Sequence, residues 1–180
     1  METVRPETDF CVPPQRQGRL AVVYTADGHG GLTRNEEEGD VSQPPAFPSG
    51  GSGLVSTAAD DARFCQMLLN GGTLDEARLL GRKTVALMTA SHWPGEKGAF
   101  PPAWMPPGRS AALGAAIVTD AAQVGQPCSI GTYSWSGGDS TFFWLDHREH
   151  LLGVLMMQVT PMNIRLMDLY QVLTYQALVD

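Results

Sequence analysis

The chain has 180 residues, of which 43% are hydrophobic and 17% charged, enough apolar material for one core and too little charge for a disordered protein. It carries 12 basic and 19 acidic residues, for a formal net charge of -7, and this balance repels phosphate backbones and anionic lipid surfaces. One globular domain is therefore predicted, with neither nucleic acid nor a membrane as its partner.

The cysteine spacing and the lack of long apolar segments exclude further classes of protein. The cysteines Cys11, Cys65 and Cys128 are far apart, in a spacing typical of neither a disulfide framework nor a zinc site. The longest apolar run, Leu151–Met157, is too short to span a bilayer, and Met1–Phe10 lacks the apolar core of a secretion signal. A cytoplasmic protein without metal or cofactor is expected.

The first part of the chain is predicted to be irregular apart from one strand. Leu20–Tyr24 is a short run of residues that favour strands. The segment from 27 to 53 combines clustered glycines, the acidic run Glu36–Asp40 and prolines, which predicts a long loop with a solvated acidic surface. Since compact domains rarely hold such long loops, this one is expected either to border a site or to pack on another element.

Two helices are predicted next. Thr57 can cap the first, with Asp60 three residues on, and Asn70–Gly72 ends it. Its apolar residues recur at helical spacing, at Phe64, Cys65, Leu68 and Leu69. A shorter helix is predicted over Arg82–Thr89, and the Pro/Gly-rich residues 93–108 predict a second long loop.

The remainder of the chain favours strands separated by short turns. The runs of strand-forming residues are Ala112–Thr119, Gly131–Ser136, Thr141–Asp146 and Leu151–Gln158. This spacing predicts an antiparallel meander. Asn163–Val179 has a broad apolar face and predicts a closing helix. Helices followed by antiparallel strands and a final helix make the fold class α+β.

Several stretches together resemble a known family. Ser49–Thr57 with Leu69–Gly72, and Tyr133–Gly138 with Thr141–Asp146, are similar to segments of the β-lactamase-like serine hydrolases, as is Asp9–Pro14. That group comprises class C β-lactamases, D-alanyl-D-alanine carboxypeptidases (penicillin-binding-protein-like enzymes) and related esterases. The resemblance covers nearly the whole chain but only the second half of the family's length. It implies one partial domain over residues 1–180, the incomplete C-terminal part of the β-lactamase/transpeptidase-like fold, with an antiparallel sheet flanked by helices.

The family's chemistry depends on three motifs, and two of them are missing here. The nucleophile is a serine in Ser-x-x-Lys, whose lysine takes the serine proton. No serine in this chain is followed by lysine three positions later, and no tyrosine begins the second motif, Tyr-x-Asn or Tyr-x-Ser. None of the nucleophile or base residues is therefore present. A truncated copy, inactive by itself, is the expectation.

The third motif survives, in its Trp-x-Gly variant. The resemblance implies a strand that lines the substrate site and an oxyanion donor at the N–H of Gly138, so the candidate site residues are Trp135, Ser136, Gly137 and Gly138. A tryptophan in place of the usual lysine removes a cation that would pair with a substrate carboxylate. A small neutral ester is thus favoured over an anionic β-lactam, with amides as the other substrate class of the family.

Two other interpretations stay open. Apart from the resemblance, the Trp-Ser-Gly-Gly stretch is an ordinary strand ending in a bulge. A degenerate relative of the family could also bind an acyl compound or a protein without catalysis. If strands of the missing half normally complete the sheet, the isolated chain exposes an edge and an apolar helix face, which predicts self-association or pairing with a separate N-terminal half.

Three smaller groups of residues suit structural roles better than chemistry. Ser140 completes a Gly-Asp-Ser triplet known from another hydrolase group, but that group expects it on the first strand. His147 and His150 flank polar residues that are typical of a solvated turn rather than a metal site. Cys128 has no cation beside it in sequence that would lower its pKa.

Overall fold

A computed structural model describes residues 6–35, 39–93 and 105–179 of the chain. The strands are β1 (Tyr24–Ala26), β2 (Leu32–Arg34), β3 (Thr73–Leu74), β4 (Ala77–Arg78), β5 (Arg109–Ala111), β6 (Ala116–Val118), β7 (Tyr133–Ser136), β8 (Thr141–Asp146), β9 (Leu151–Met156) and β10 (Val159–Thr160). The helices are α1 (Ala58–Leu69), α2 (Arg82–Met88), α3 (Ala121–Val124) and α4 (Ile164–Gln176), and a 3-10 helix covers Pro14–Arg19.

The main sheet has five strands in the order β5-β6-β7-β8-β9, and each neighbouring pair is antiparallel. This confirms the predicted meander and the α+β class. Strand β8 has the predicted bounds, while β6 is shorter than predicted because its pairing with β5 runs only over Ala116–Val118. The sheet also begins earlier than predicted, at Arg109, directly after the Pro/Gly-rich loop.

Helix α1 begins and ends as its sequence predicts. The Thr57 side chain accepts the backbone N–H of Asp60 at 3.2 Å. At the other end, the N–H groups of Gly71 and Gly72 donate to Leu68 and Met67, the paired bonds of a Schellman motif. Both glycines have positive φ, a conformation that costs glycine little. The chain therefore turns sharply here into the β3–β4 hairpin.

The two faces of the main sheet are covered by different helices. Side chains that alternate along β7 and β8 place Tyr133 and Leu145 against α1, and Trp144 against α4. The core on the α1 face consists of Cys65, Met67, Leu68, Leu74, Val85, Ala115, Tyr133 and Leu145. On the other face, the Trp144 ring meets Tyr170 edge-on, with 5.2 Å between ring centroids.

A second, three-stranded sheet corrects the prediction for the first part of the chain. Strand β1 pairs in parallel with β10 and antiparallel with β2. The strand predicted over Leu20–Tyr24 instead starts at Tyr24, because the pairing with both β10 and β2 begins at that residue. The predicted 27–53 loop likewise contains β2, and its other described residues form no helix or strand.

Parts of two predicted features lie outside the described residues. They are positions 36–38 of the acidic run and positions 94–104 of the second long loop. Over the described ranges, every helix is too short or too polar to cross a membrane.

Candidate functional site at the end of the central strand

The candidate site lies where strand β7 runs past the end of β6. All four residues of β7 pair with β8, but the pairing with β6 is limited to Tyr133 and Ser134. Trp135 and Ser136 therefore continue the strand beyond the β6 ladder. A strand end of this kind offers backbone groups to an extended ligand, as in peptide recognition by strand addition.

The two side chains of this strand end point to opposite faces of the sheet. Trp135 stands opposite Phe143 on the α1 face and is 41% exposed. Ser136 stands opposite Phe142 on the α4 face and is partly buried. A ligand on one face of the sheet can therefore contact only one of these two side chains, whereas the backbone of both residues lies along the same strand end.

The turn that follows β7 carries the two candidate glycines. Gly137 donates its N–H to the carbonyl of Thr141 at 2.8 Å, and its own carbonyl accepts the N–H of Ser140 at 3.1 Å. A Cβ on Gly137 would overlap the Thr141 hydroxyl, which explains the glycine there. A Cβ on Gly138 would meet no atom within 4 Å, and the Gly138 N–H makes no hydrogen bond to the described residues. Gly138 therefore presents a backbone donor at an open surface.

Ser140 has a structural environment rather than that of a nucleophile. It is fully buried, its hydroxyl donates to the carbonyl of Val159 at 2.6 Å, and that hydroxyl accepts the N–H of Asn163 at 2.9 Å. A nucleophile needs an adjacent base and access to its substrate, and neither is present here among the described residues.

The histidines of the β8–β9 turn form no metal-binding cluster with other described residues. Over the described residues, no group of three or more histidine, cysteine or acidic side chains is arranged to hold an ion. Burial lowers the pKa of His147, an effect opposed by the carboxylate of Asp146 and reinforced by His150. Its imidazole is therefore held towards the neutral form.

A cation does lie near Cys128, although the sequence shows none beside it. The pKa of the Cys128 thiol is raised by burial, and the guanidinium of Arg109 offsets this only in part. Burial also lowers the pKa of Arg109 itself. That guanidinium donates to the hydroxyl of Ser134 on β7 at 3.1 Å, so it ties the edge strand β5 to the central strand.

Sequence reasoning missed a buried polar cluster beside the start of β7. Asp146, with no exposed surface, accepts the hydroxyl of Tyr175 at 2.6 Å and lies 3.3 Å from the hydroxyl of Thr132. The backbone N–H groups of Arg148 and Glu149 also donate to its carboxylate. The one sequence signal was an aspartate ending a strand; its partners come from distant parts of the chain.

Comparisons with known proteins identify a family and relatives that this chain resembles. The Beta-lactamase family model matches residues 3–176. Protein Rv1367c of Mycobacterium tuberculosis (strain ATCC 25618 / H37Rv) is 34% identical over 164 residues, which cover 86% of this chain and 40% of that protein. The chain thus spans less than half the length of the curated relatives it matches.

Two solved structures share the fold at low sequence identity. EstCE1, described as a hydrolase with promiscuous acyltransferase activity, has a TM-score of 0.72 at 22% identity, covering 94% of this chain and 45% of that one. Unliganded Simvastatin Synthase (LovD) from Aspergillus terreus has a TM-score of 0.67 at 18% identity, covering 93% of this chain and 45% of that one. The described fold therefore corresponds to part of these larger structures.

Proposed function

The chain belongs to the beta-lactamase family, and from this premise we propose that it supplies the oxyanion-binding strand of a serine hydrolase that works through an acyl-serine intermediate. The proposed site residues are Trp135, Ser136, Gly137 and Gly138. The strand end would align the acyl group, and the Gly138 N–H would donate to the oxygen that becomes negative as the carbonyl is attacked. An oxyanion donor of this kind typically lowers a barrier by about 2.7 to 4 kcal/mol.

The observation that carries the proposal is the open backbone donor of Gly138. Its N–H has no acceptor among the described residues, while the bonds of Gly137 and Ser140 fix the turn on both sides of it. Open space where a side chain would stand allows a substrate to approach this backbone closely. A donor held ready before the reaction costs no reorganisation when charge develops.

Ester substrates suit this strand better than anionic β-lactams. Trp135 stands at the position that the family motif gives to lysine, so that position brings no cation to a substrate carboxylate. The guanidinium of Arg109 is engaged with Ser134 on the opposite face. The description of EstCE1 as a hydrolase with acyltransferase activity is in keeping with acyl transfer from an ester.

We expect the purified chain to hydrolyse a short-chain nitrophenyl ester no faster than buffer. Without Ser-x-x-Lys, positioned donors bind a carbonyl but no atom attacks it. The assay compares the chain with its Ser136→Ala variant, and sedimentation of the same samples reports their state. Turnover that falls in the variant would mean that the chain holds a nucleophile and that the proposed inactivity is wrong.

A folded, monodisperse and inactive sample would instead favour the non-catalytic alternative, a binding module for acyl compounds. Direct titration with the same ester, followed by the intensity of tryptophan fluorescence, then distinguishes binding from its absence. Trp135 is the reporter, because it is partly exposed beside the proposed site.

A second proposal concerns the surface that the isolated chain presents. Helix α4 carries an exposed apolar stripe formed by Leu166, Leu169 and Leu173, which recur at helical spacing on the face opposite the buried Met167 and Gln171. Strand β9 is an edge strand of the described main sheet and lies beside α4. We propose that a second copy of the chain covers this stripe when the chain is alone.

The double variant Leu169→Lys, Leu173→Lys is expected to lower the weight-average sedimentation coefficient at equal protein concentration, because two charges cannot be buried cheaply in an apolar contact. Leu87→Lys is the matched control, since Leu87 is also a helical leucine and is 56% exposed, against 53% for Leu173. Equal sedimentation of the double variant and the original chain would contradict self-association through α4.

A further inference from the structure

The turn that follows β7 contains a residue in an uncommon backbone conformation. Ser140 has a φ of 70° and no exposed surface. This left-handed conformation is unfavourable for a residue that carries a Cβ, and it persists only where the surroundings hold it. Nothing in the turn's own hydrogen bonds, from Gly137 to Thr141 and from Ser140 to Gly137, requires a hydroxyl at this position.

The hydroxyl of Ser140 is used by two other elements. It donates to the carbonyl of Val159 in β10 at 2.6 Å and accepts the N–H of Asn163 at 2.9 Å. Asn163 is also the cap of α4, because its side chain accepts the N–H of Leu166 at 3.1 Å. One buried hydroxyl thus joins the turn to β10 and to the start of α4, and its donor and acceptor are both satisfied.

A backbone bond strengthens the same junction. Val159 donates its N–H to the carbonyl of Asp139 at 3.0 Å. Asp139 and Ser140 are therefore attached to β10, while Gly137 is attached to β8 through Thr141. Gly138 lies between these two attachments, so the direction of its N–H depends on both of them.

We propose that Ser140 is a positioning residue whose hydroxyl fixes the turn, and with it the Gly138 N–H, on the junction of β10 and α4. The proposal rests on the function proposed above for Gly138. Ser140 touches no substrate in this role, and it acts through the placement of its neighbours.

The test is amide hydrogen exchange followed by NMR on the isotopically labelled chain. Ser140→Gly removes the hydroxyl and also relieves the backbone strain, so a strain effect alone would slow exchange. We expect the amides of Gly137 and Val159 to exchange about tenfold faster in Ser140→Gly, with the Gly138 resonance shifted or broadened and the amide of Leu68 in α1 unchanged.

The control is Ser110→Ala, which removes another buried hydroxyl of the same sheet, bonded to Ser91 at 2.7 Å. It is expected to leave the Gly137, Gly138 and Val159 signals as they are. Unchanged exchange of Gly137 and Val159 in a folded Ser140→Gly chain would overturn the proposal.

If Ser140→Gly unfolds the whole chain, the original sequence still decides the matter. The Asn163 amide donates to the Ser140 hydroxyl, so it is expected to open together with Gly137 and Val159 at one common rate. An Asn163 amide that exchanges more than about tenfold faster than those two would overturn the proposal. These readouts use no substrate, so they remain separate from the ester assay, and each proposal can fail without the other.

Discussion

Gly153→Ala is expected to destabilise the chain by about 3 kcal/mol or more. Gly153 in β9 stands directly opposite Trp144 in β8, and a Cβ at this position would overlap the six-membered ring of the indole. The ring has no room to move, because it is fully buried, stacked on Phe142 at 5.9 Å and set edge-on against Tyr170. Urea unfolding, followed by tryptophan fluorescence and by circular dichroism, measures the loss.

A matched glycine separates this overlap from general effects of alanine. Gly18 has no atom within 4 Å of the place that a Cβ would take, and its φ is not positive, so Gly18→Ala is expected to change stability by less than about 1 kcal/mol. Gly153→Ala should cost less free energy of unfolding in a Trp144→Leu background than in the original chain. Additive effects of the two changes would show that the ring is not what excludes the side chain.

Asp146→Ala is expected to cost about 3 kcal/mol, because it removes a fully buried carboxylate and leaves the hydroxyl of the partly buried Tyr175 without this acceptor. Asp146→Asn keeps an acceptor oxygen and should cost less. Tyr175→Phe removes the donating hydroxyl, while the carboxylate of Asp146 keeps its backbone donors from Arg148 and Glu149. This variant should cost about 1.5 kcal/mol. Equal stability of Asp146→Ala and the original chain would contradict a structural role for the carboxylate.

The same pair gives stability a defined dependence on pH. Burial raises the pKa of Asp146, but the hydrogen bonds led by the Tyr175 hydroxyl outweigh it and hold the pKa below the ordinary 3.8. The ionised carboxylate of Asp146 therefore stabilises the folded state fully above about pH 3.8. This stabilisation is lost as the pH falls through the lower pKa of Asp146 in the folded state. Burial and the bond to Asp146 raise the pKa of Tyr175 above its ordinary 10, so stability also declines as the pH rises beyond about 10.

Variants assign the two limbs of this profile. Asp146→Asn should flatten the acid limb, and Tyr175→Phe should flatten the alkaline limb, when the free energy of unfolding is measured by urea titration at each pH. An acid limb that survives in Asp146→Asn would assign it to other carboxylates, such as Asp27, whose pKa is lowered by the backbone N–H groups of His29 and Gly31.

What the sequence predicts well in this chain is what depends on neighbours in sequence. Helix α1 is signalled by Thr57 at one end and by Gly71 and Gly72 at the other, and all three make local bonds. Strand β8 is bounded by a glycine-rich turn and by the polar residues after Asp146. Such signals need no knowledge of the remaining chain.

What it does not predict depends on partners far along the chain. Tyr24 and Thr25 pair in parallel with Val159 and Thr160, and no local pattern predicts a parallel pairing of two residues. The same holds for Asp146, whose partner Tyr175 lies on the closing helix. A family motif predicts the candidate site, whereas the role of the Ser140 hydroxyl depends on Val159 and Asn163, which are distant in sequence.

The meander has a consequence for the order in which the chain can assemble. Every pairing in the main sheet joins consecutive strands between Arg109 and Met156, so each addition closes a short loop at small entropic cost. The pairing of β1 with β10 must instead bring together residues from near the two ends of the chain. Chains rich in near-neighbour contacts fold quickly, so the main sheet can form as a nucleus while the first part of the chain is still unattached. The turn that carries Gly138 does not have to wait for that first part, because the bonds of Ser140 to Val159 and Asn163 span only 19 and 23 residues.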